Sequence, residues 1–153
     1  MQPLIPPGDV TLYHRHTEDT LYVAIGDVQV CNQALGEEAL EGTVDKGTTM
    51  VMPHRTKPLI HQVTNQGDEN MRLIGAEVLA SPPIISEAPL EAPGLALENE
   101  KPRVRSYRMK LAPGESTGLL TCNFSGLLIV ISGGTLEISG DAPRVLSARP
   151  NPI

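Results

Sequence analysis

Apolar and polar residues alternate along short stretches of this chain, and the alternation predicts β-strands rather than helices. In residues 10–16, Val10, Leu12, His14 and His16 recur at every second position, so all four side chains leave one face of a strand. Further strands are predicted at residues 21–30, 43–45, 48–52, 59–64, 71–79, 104–111, 127–131 and 135–138. Short strands separated by turns are typical of a β-sandwich or a closed barrel.

Composition supports a sheet protein and indicates where the chain divides. Aromatic residues make up only 3% of the sequence, so Val, Ile and Leu must fill the core. Residues 81–101 are rich in Pro, Ala and Glu without a steady period, which predicts a linker. We therefore expect a first domain at 1–80, a linker at 81–101 and a second segment at 102–153, or one single domain overall.

The second segment contains a partial internal repeat. Residues 7–9 (Pro-Gly-Asp) match residues 113–115 (Pro-Gly-Glu), and residues 21–25 match 127–131 at the same offset. At that offset the two histidines and Asp19 fall on other residue types, namely Leu120, Cys122 and Ser125. The second copy therefore keeps the strand pattern and lacks the polar side chains, and apolar neighbours predict that Cys122 is a buried thiol.

Net charge, cysteine content and the lack of long apolar runs predict the compartment of the protein and exclude some classes of partner. The net charge of −6 argues against a nucleic-acid partner, because phosphate binding needs a basic surface. The two cysteines, Cys31 and Cys122, are far apart and are interpreted as free thiols of a reducing compartment. No secretion signal and no apolar run of membrane length is visible. These features predict a cytoplasmic protein without a membrane partner.

Candidate chemistry lies in the first segment. His14 and His16 share an inward strand face, and His61 supplies a third imidazole. Buried imidazoles need a binding partner. Either they bind a metal ion, or they line a polar pocket without metal and form hydrogen bonds to neighbours or water.

The spacing around His14 and His16 follows a known motif. Gly8 precedes His14 by an interval of five residues, and Asp19 precedes Gly26 by an interval of six. This resembles the first motif of the cupin superfamily, in which two histidines and a glutamate lie between two glycines. Asp19 stands where the family has Glu, and the spacer before it is one residue shorter than usual.

A second stretch resembles the other cupin motif. Gly47 precedes Pro53 by an interval of five residues, and His61 precedes Asn65 by an interval of three. Arg55 stands where the family has a glycine, and the interval between Pro53 and His61 is three residues longer than the family's.

The resemblance implies an all-β fold, the cupin antiparallel β-barrel (a double-stranded β-helix or jelly roll), with extra strands from the partial repeat. It implies a divalent metal, Fe, Mn, Ni or Zn, held by His14, His16, Asp19 and His61, with Glu18 as the alternative carboxylate. The implied function is a metal-binding protein that binds or acts on a small polar molecule; catalysis is left open. The alternatives are a sensor or carrier that binds a small ligand without metal, and a purely structural cupin.

Other residues near the motifs are predicted to lie outside the metal site. His54 lies in a proline-bounded turn and is predicted to be exposed; the alternative is a fourth imidazole at the mouth of the barrel. Strand parity turns Tyr13 and Arg15 away from the site.

The basic run at 101–110 is predicted to be a solvated strand face that pairs with acidic neighbours. The alternative is that Arg103 and Arg105, on one face of the strand, bind a carboxylate or phosphate.

Few residues precede Gly8, so the first sheet is predicted to lack an edge strand. We expect strands from residues 103–138 to complete it, either within the chain or across a two-fold homodimer.

Overall fold

The computed structural model describes residues 4–79, 88–122, 124–140 and 144–147, and these contain strands and no helix. Consequently no helix in this part of the chain is long and apolar enough to cross a membrane. The strands are β1 (Leu4–Ile5), β2 (His14–His16), β3 (Thr20–Ala24), β4 (Val28–Ala34), β5 (Leu40–Val44), β6 (Thr49–Met52), β7 (Leu59–Asn65), β8 (Met71–Glu77), β9 (Leu95–Lys101), β10 (Val104–Met109), β11 (Thr135–Ile138) and β12 (Arg144–Ser147).

The first eight strands form two four-stranded antiparallel sheets. Their orders are β1-β8-β3-β6 and β2-β7-β4-β5, so consecutive strands often lie in different sheets. This strand order is that of a jelly roll, the eight-stranded architecture to which cupins belong. The topology confirms the predicted all-β fold, an antiparallel jelly roll.

Apolar side chains from both sheets meet in one core. Ile5, Val28 and Met71 are buried there, and partly buried residues pack around them: Val30, Val44, Val63 and Leu73. Along two strands, β4 and β7, the inward-facing side chains change from apolar to polar with distance from this core. Along β4 the inward positions run from Val28 and Val30 to Asn32, and along β7 they run from Val63 to His61. The interior is therefore apolar at one end and polar at the other.

The first sheet was predicted to lack an edge strand, and β1 occupies that edge. Ile5 pairs with Met71 and Leu4 with Arg72, so two residues suffice to cover β8. Among the described residues β10 pairs with β9 and β11 with β12, so these strands are not part of the first two sheets. Strand exchange across a homodimer remains a prediction.

Part of the predicted linker is a strand. β9 lies within 81–101 and pairs with β10. The composition of 81–101 did not predict this strand, because it forms by pairing with the strand that follows. The hairpin is attached to β6, where Thr49 Oγ1 donates to Glu98 Oε2 at 3.0 Å and Asn99 Nδ2 donates to Thr49 Oγ1 at 2.8 Å. Arg105 and Arg108 pair with Glu100 and Glu98, as predicted, but the two arginine side chains are only 12% and 21% exposed, so this strand face is not solvated.

The repeat is only partly reflected in structure. The chain divides into compact units at Met1–Leu120 and Thr121–Ile153. Residues 127–131, predicted to be a strand, do not form one, because no partner strand is paired with them among the described residues. Cys122 is exposed rather than buried, and both cysteines are free. The predicted domain boundaries remain a prediction.

Candidate metal site

The strand register brings the three predicted histidines together. His14 pairs directly with His61 across β2 and β7, which are neighbours in one sheet rather than facing strands. His16 lies on the same inward face, and the intervening Arg15 is exposed, as predicted. One ring nitrogen of each histidine lies within 4.8 Å of the other two. The Nε2 atoms of His16 and His61 are 3.1 Å apart.

The Nδ1 atom of each histidine lies within hydrogen-bond distance of an oxygen. Nδ1 of His14 lies 2.9 Å from the backbone oxygen of Leu12, and Nδ1 of His61 lies 2.6 Å from Asn32 Oδ1. Nδ1 of His16 lies 3.2 Å from the Tyr22 hydroxyl. Metal-binding histidines commonly donate the second ring N–H to an oxygen in this way, which fixes the tautomer and leaves Nε2 as the ligand atom.

Burial favours the neutral form that a metal requires in two of the imidazoles, those of His16 and His61. Desolvation, with smaller contributions from the other histidines, lowers the pKa of His61 to about 4. Desolvation also lowers the pKa of His16, where Glu77 acts in the opposite direction. Near neutral pH these two rings therefore offer lone pairs rather than positive charge.

The same distances allow two hydrogen-bond arrangements. Without an ion, Tyr22 donates to His16 Nδ1, His16 Nε2–H donates to His61 Nε2, and His61 Nδ1–H donates to Asn32. With an ion, the His16 proton sits on Nδ1 and the Tyr22 oxygen accepts it, which frees both Nε2 atoms. Two nitrogens 3.1 Å apart are close enough to share one ion at bond lengths of about 2.1 Å, so the residues fit a metal.

The predicted carboxylates are directed elsewhere. Asp19 Oδ1 accepts a hydrogen bond from the backbone N–H of Arg55 at 3.0 Å, and Glu18 Oε2 pairs with Arg55 Nε at 3.1 Å. Neither belongs to the group of three histidines. A half-exposed carboxylate, Glu77 Oε1, lies 4.0 Å from His16 Nδ1. Metal ligation by Asp19 remains a prediction.

His54 differs from its predicted exposed position. It is only 3% exposed, and its ring stacks on His16 with centroids 5.0 Å apart and planes at 22°. The ring also meets Tyr22 edge-on at 6.3 Å. A turn between prolines indicated exposure, but this turn folds back over the polar end of the interior.

Sequence reasoning also missed Asn32 and Glu77. Extending the alternation of β4 two residues past Val30 places Asn32 on the inward face, which is the signal that could have found it. Tyr22 lies on β3, and its hydroxyl lies against His16. Burial raises the pKa of Tyr22, so this hydroxyl stays protonated near neutral pH.

No protein-family model and no curated protein matches the chain. Among solved structures, the chain is similar to a cupin domain from Bordetella pertussis Tohama I, with 23% identity and a TM-score of 0.47. The similarity covers 52% of this chain and 78% of that domain. The fold assignment stands on the strand order described above.

Proposed function

We propose that this cupin-fold protein binds a divalent transition metal through His14, His16 and His61 and uses the site to bind or act on a small polar molecule. The observation that carries the proposal is the pairing of all three Nδ1 atoms with oxygens, beside two Nε2 atoms 3.1 Å apart. Imidazole donors without a carboxylate favour Zn, Fe or Ni over Mn.

A bound metal supplies Lewis-acid chemistry, through which a substrate oxygen or a water molecule is polarised. The protein orients the ligand atoms: Asn32 holds His61, and the Leu12 carbonyl holds His14. The phenol of Tyr22 fixes the third ring, that of His16.

The test is the metal content of untagged protein, measured by elemental mass spectrometry after purification and after reconstitution. We expect close to one ion per chain in the wild type and its loss in His14→Ala, His16→Ala and His61→Ala. Arg15→Ala is the matched control, because it lies on the same strand with its side chain exposed. A wild type without metal after reconstitution, or a histidine variant that keeps full metal content, contradicts the proposal.

A second candidate is a metal-free pocket that binds a small polar ligand as a sensor or carrier. The observation in its favour is the uninterrupted hydrogen-bond chain from Tyr22 through His16 and His61 to Asn32, which leaves both rings satisfied without an ion. A metal-free wild type in which Tyr22→Phe lowers the melting temperature supports this candidate.

A further inference from the structure

We propose that Gly75 on β8 is a positioning residue of the metal site, because the space it leaves lets the ring of Tyr22 lie across β8 with its hydroxyl against His16. The inference rests on the proposed metal site and adds to it a residue of the other sheet. Its support comes from the strand register, the distances between Gly75 and Tyr22, and the contact between Tyr22 and His16.

Gly75 lies inside a strand, where glycine is unfavourable. It pairs directly with Tyr22 across β8 and β3. Glycine weakens a strand, because it loses more conformational entropy than other residues and has no side chain to pack. The φ angle of Gly75 is not positive, so the backbone does not require glycine here. A glycine in such a place often marks the close approach of another group.

The group that approaches Gly75 is the ring of Tyr22. A Cβ atom at position 75 would lie 3.4 Å from Cε1 and 3.6 Å from Cδ1 of Tyr22, and 3.8 Å from Cγ2 of Thr20. These are ordinary van der Waals distances, so one methyl group fits beside the ring. Atoms beyond the Cβ would compete with the ring for the same volume. Position 75 therefore accommodates glycine or alanine, and a larger side chain should displace the ring.

The position of the ring decides whether the hydroxyl reaches His16. The Tyr22 hydroxyl lies 3.2 Å from Nδ1 of His16, and the two rings meet edge-on with centroids 6.0 Å apart. A distance of 3.2 Å is at the long end of the hydrogen-bond range, so a small movement of the ring breaks the contact. Glu77 Oε1 is 4.0 Å from the same nitrogen, which is too far for a hydrogen bond.

The hydroxyl is the partner of His16 Nδ1 with and without an ion, since it donates in one arrangement and accepts in the other. In both, it orients the ring whose Nε2 lies 3.1 Å from Nε2 of His61. Loss of such an outer partner of a metal-binding histidine lowers metal affinity about 10- to 100-fold. Gly75 therefore controls metal affinity through Tyr22.

The first test measures Zn²⁺ affinity by competition with a chromogenic chelator. Gly75→Val adds two atoms beyond the Cβ, and we expect the affinity to fall about tenfold, whereas Gly75→Ala should keep most of it. Ala76→Val is the matched control, because it adds bulk to the next residue of β8, on the opposite face. In Tyr22→Phe protein the hydroxyl is absent, so adding Gly75→Val should change the affinity little.

The second test needs no metal. Nitrogen-15 NMR of the imidazole rings in metal-free protein reports which nitrogen of His16 carries the proton. In the wild type and Gly75→Ala the proton should lie on Nε2, because the Tyr22 hydroxyl donates to Nδ1. Gly75→Val should give a mixture of both tautomers. If the valine variant does not fold, Gly75→Ser, which adds one atom beyond the Cβ, takes its place in both tests.

The two tests separate the inference from the proposed function. A wild type that takes up no metal contradicts the proposed function, and the NMR comparison then decides the role of Gly75. Wild-type affinity and the wild-type tautomer in Gly75→Val overturn the inference. A loss of affinity in Gly75→Val that is equally large in Tyr22→Phe protein, or is matched by Ala76→Val, also overturns it, because the hydroxyl is then not the intermediary.

Discussion

The two copies of the repeat begin with the same turn and continue differently. Gly8 and Gly114 both adopt the left-handed backbone region, with φ of 76° and 82°. After the first glycine the chain forms β2 and β3; after the second, the described residues of 115–131 contain no strand. A Pro-Gly turn is therefore encoded locally, whereas the strands that follow it are not.

The difference lies in the partners that each copy finds. β2 pairs with β7, and β3 pairs with both β6 and β8. In the second copy, residues that match β3 are exposed, with Leu127 67% exposed and Leu128 45% exposed. An apolar pattern stabilises a strand only when a neighbouring strand satisfies its backbone groups and covers its face.

The largest predicted contrast is in packing. Met71 is 3% exposed in the core between the sheets, so Met71→Ala should lower the free energy of unfolding by about 3 kcal/mol. Leu127→Ala is the matched change in the second copy and should shift it by less than about 0.5 kcal/mol. Urea unfolding followed by far-UV circular dichroism measures both. Equal losses would show that the second copy is as well packed as the first.

The next effect concerns the support of the site. Asn32→Ala removes the oxygen that holds His61 Nδ1, and we expect metal affinity to fall about 10- to 100-fold. Competition with a chromogenic chelator measures the affinity. Gln33→Ala, a change at the next residue on the opposite face, is the control. Unchanged affinity in Asn32→Ala would contradict the assigned role of Asn32.

A smaller contrast is expected at the two turns. Alanine in the left-handed region costs about 1 kcal/mol, and Gly8 N–H also donates to the Asn65 carbonyl at 2.9 Å. Gly8→Ala should therefore destabilise the jelly roll by about that amount. Gly114→Ala carries the same backbone strain ahead of a stretch without strands, so its effect on the same unfolding transition should be smaller. A larger effect at Gly114 would reverse the comparison.

The last predicted effect is on pH dependence. His61 has a pKa of about 4 in the fold and about 6.5 unfolded, so between these values the unfolded chain binds more protons. The stability of metal-free protein should rise with pH across this window, and the contribution of His61 is lost as pH falls. Urea unfolding at pH 5 and pH 7.5 tests it, with a flatter dependence expected in His61→Gln. An equally steep dependence in that variant would assign the effect to other groups.

Strand periodicity predicted much of the fold, and the parity of β2 predicted the shared face of His14 and His16. The elements that it missed depend on contacts distant in sequence. β1 is too short to show a period and exists because β8 offers it an edge. β9 lies in a Pro-rich stretch and forms because β10 follows it.

Prediction of the site from the sequence has the same limit, because it misses features that depend on contacts distant in sequence. The third histidine was predicted, because its motif spacing is local. The burial of His54 was not: its turn folds back, and a backbone N–H of that turn donates to the Asp19 carboxylate. Both depend on a contact between the loops at residues 17–19 and 53–57, which no pattern within either loop reveals.

The most direct measurement of the central claim is a crystal structure of chelator-treated protein soaked with Zn²⁺, with anomalous data collected at the zinc edge. The account predicts one anomalous peak within about 2.1 Å of Nε2 of His14, His16 and His61, with Asn32 and Tyr22 still against the outer nitrogens. An empty site in which His16 and His61 remain hydrogen-bonded to each other would contradict it.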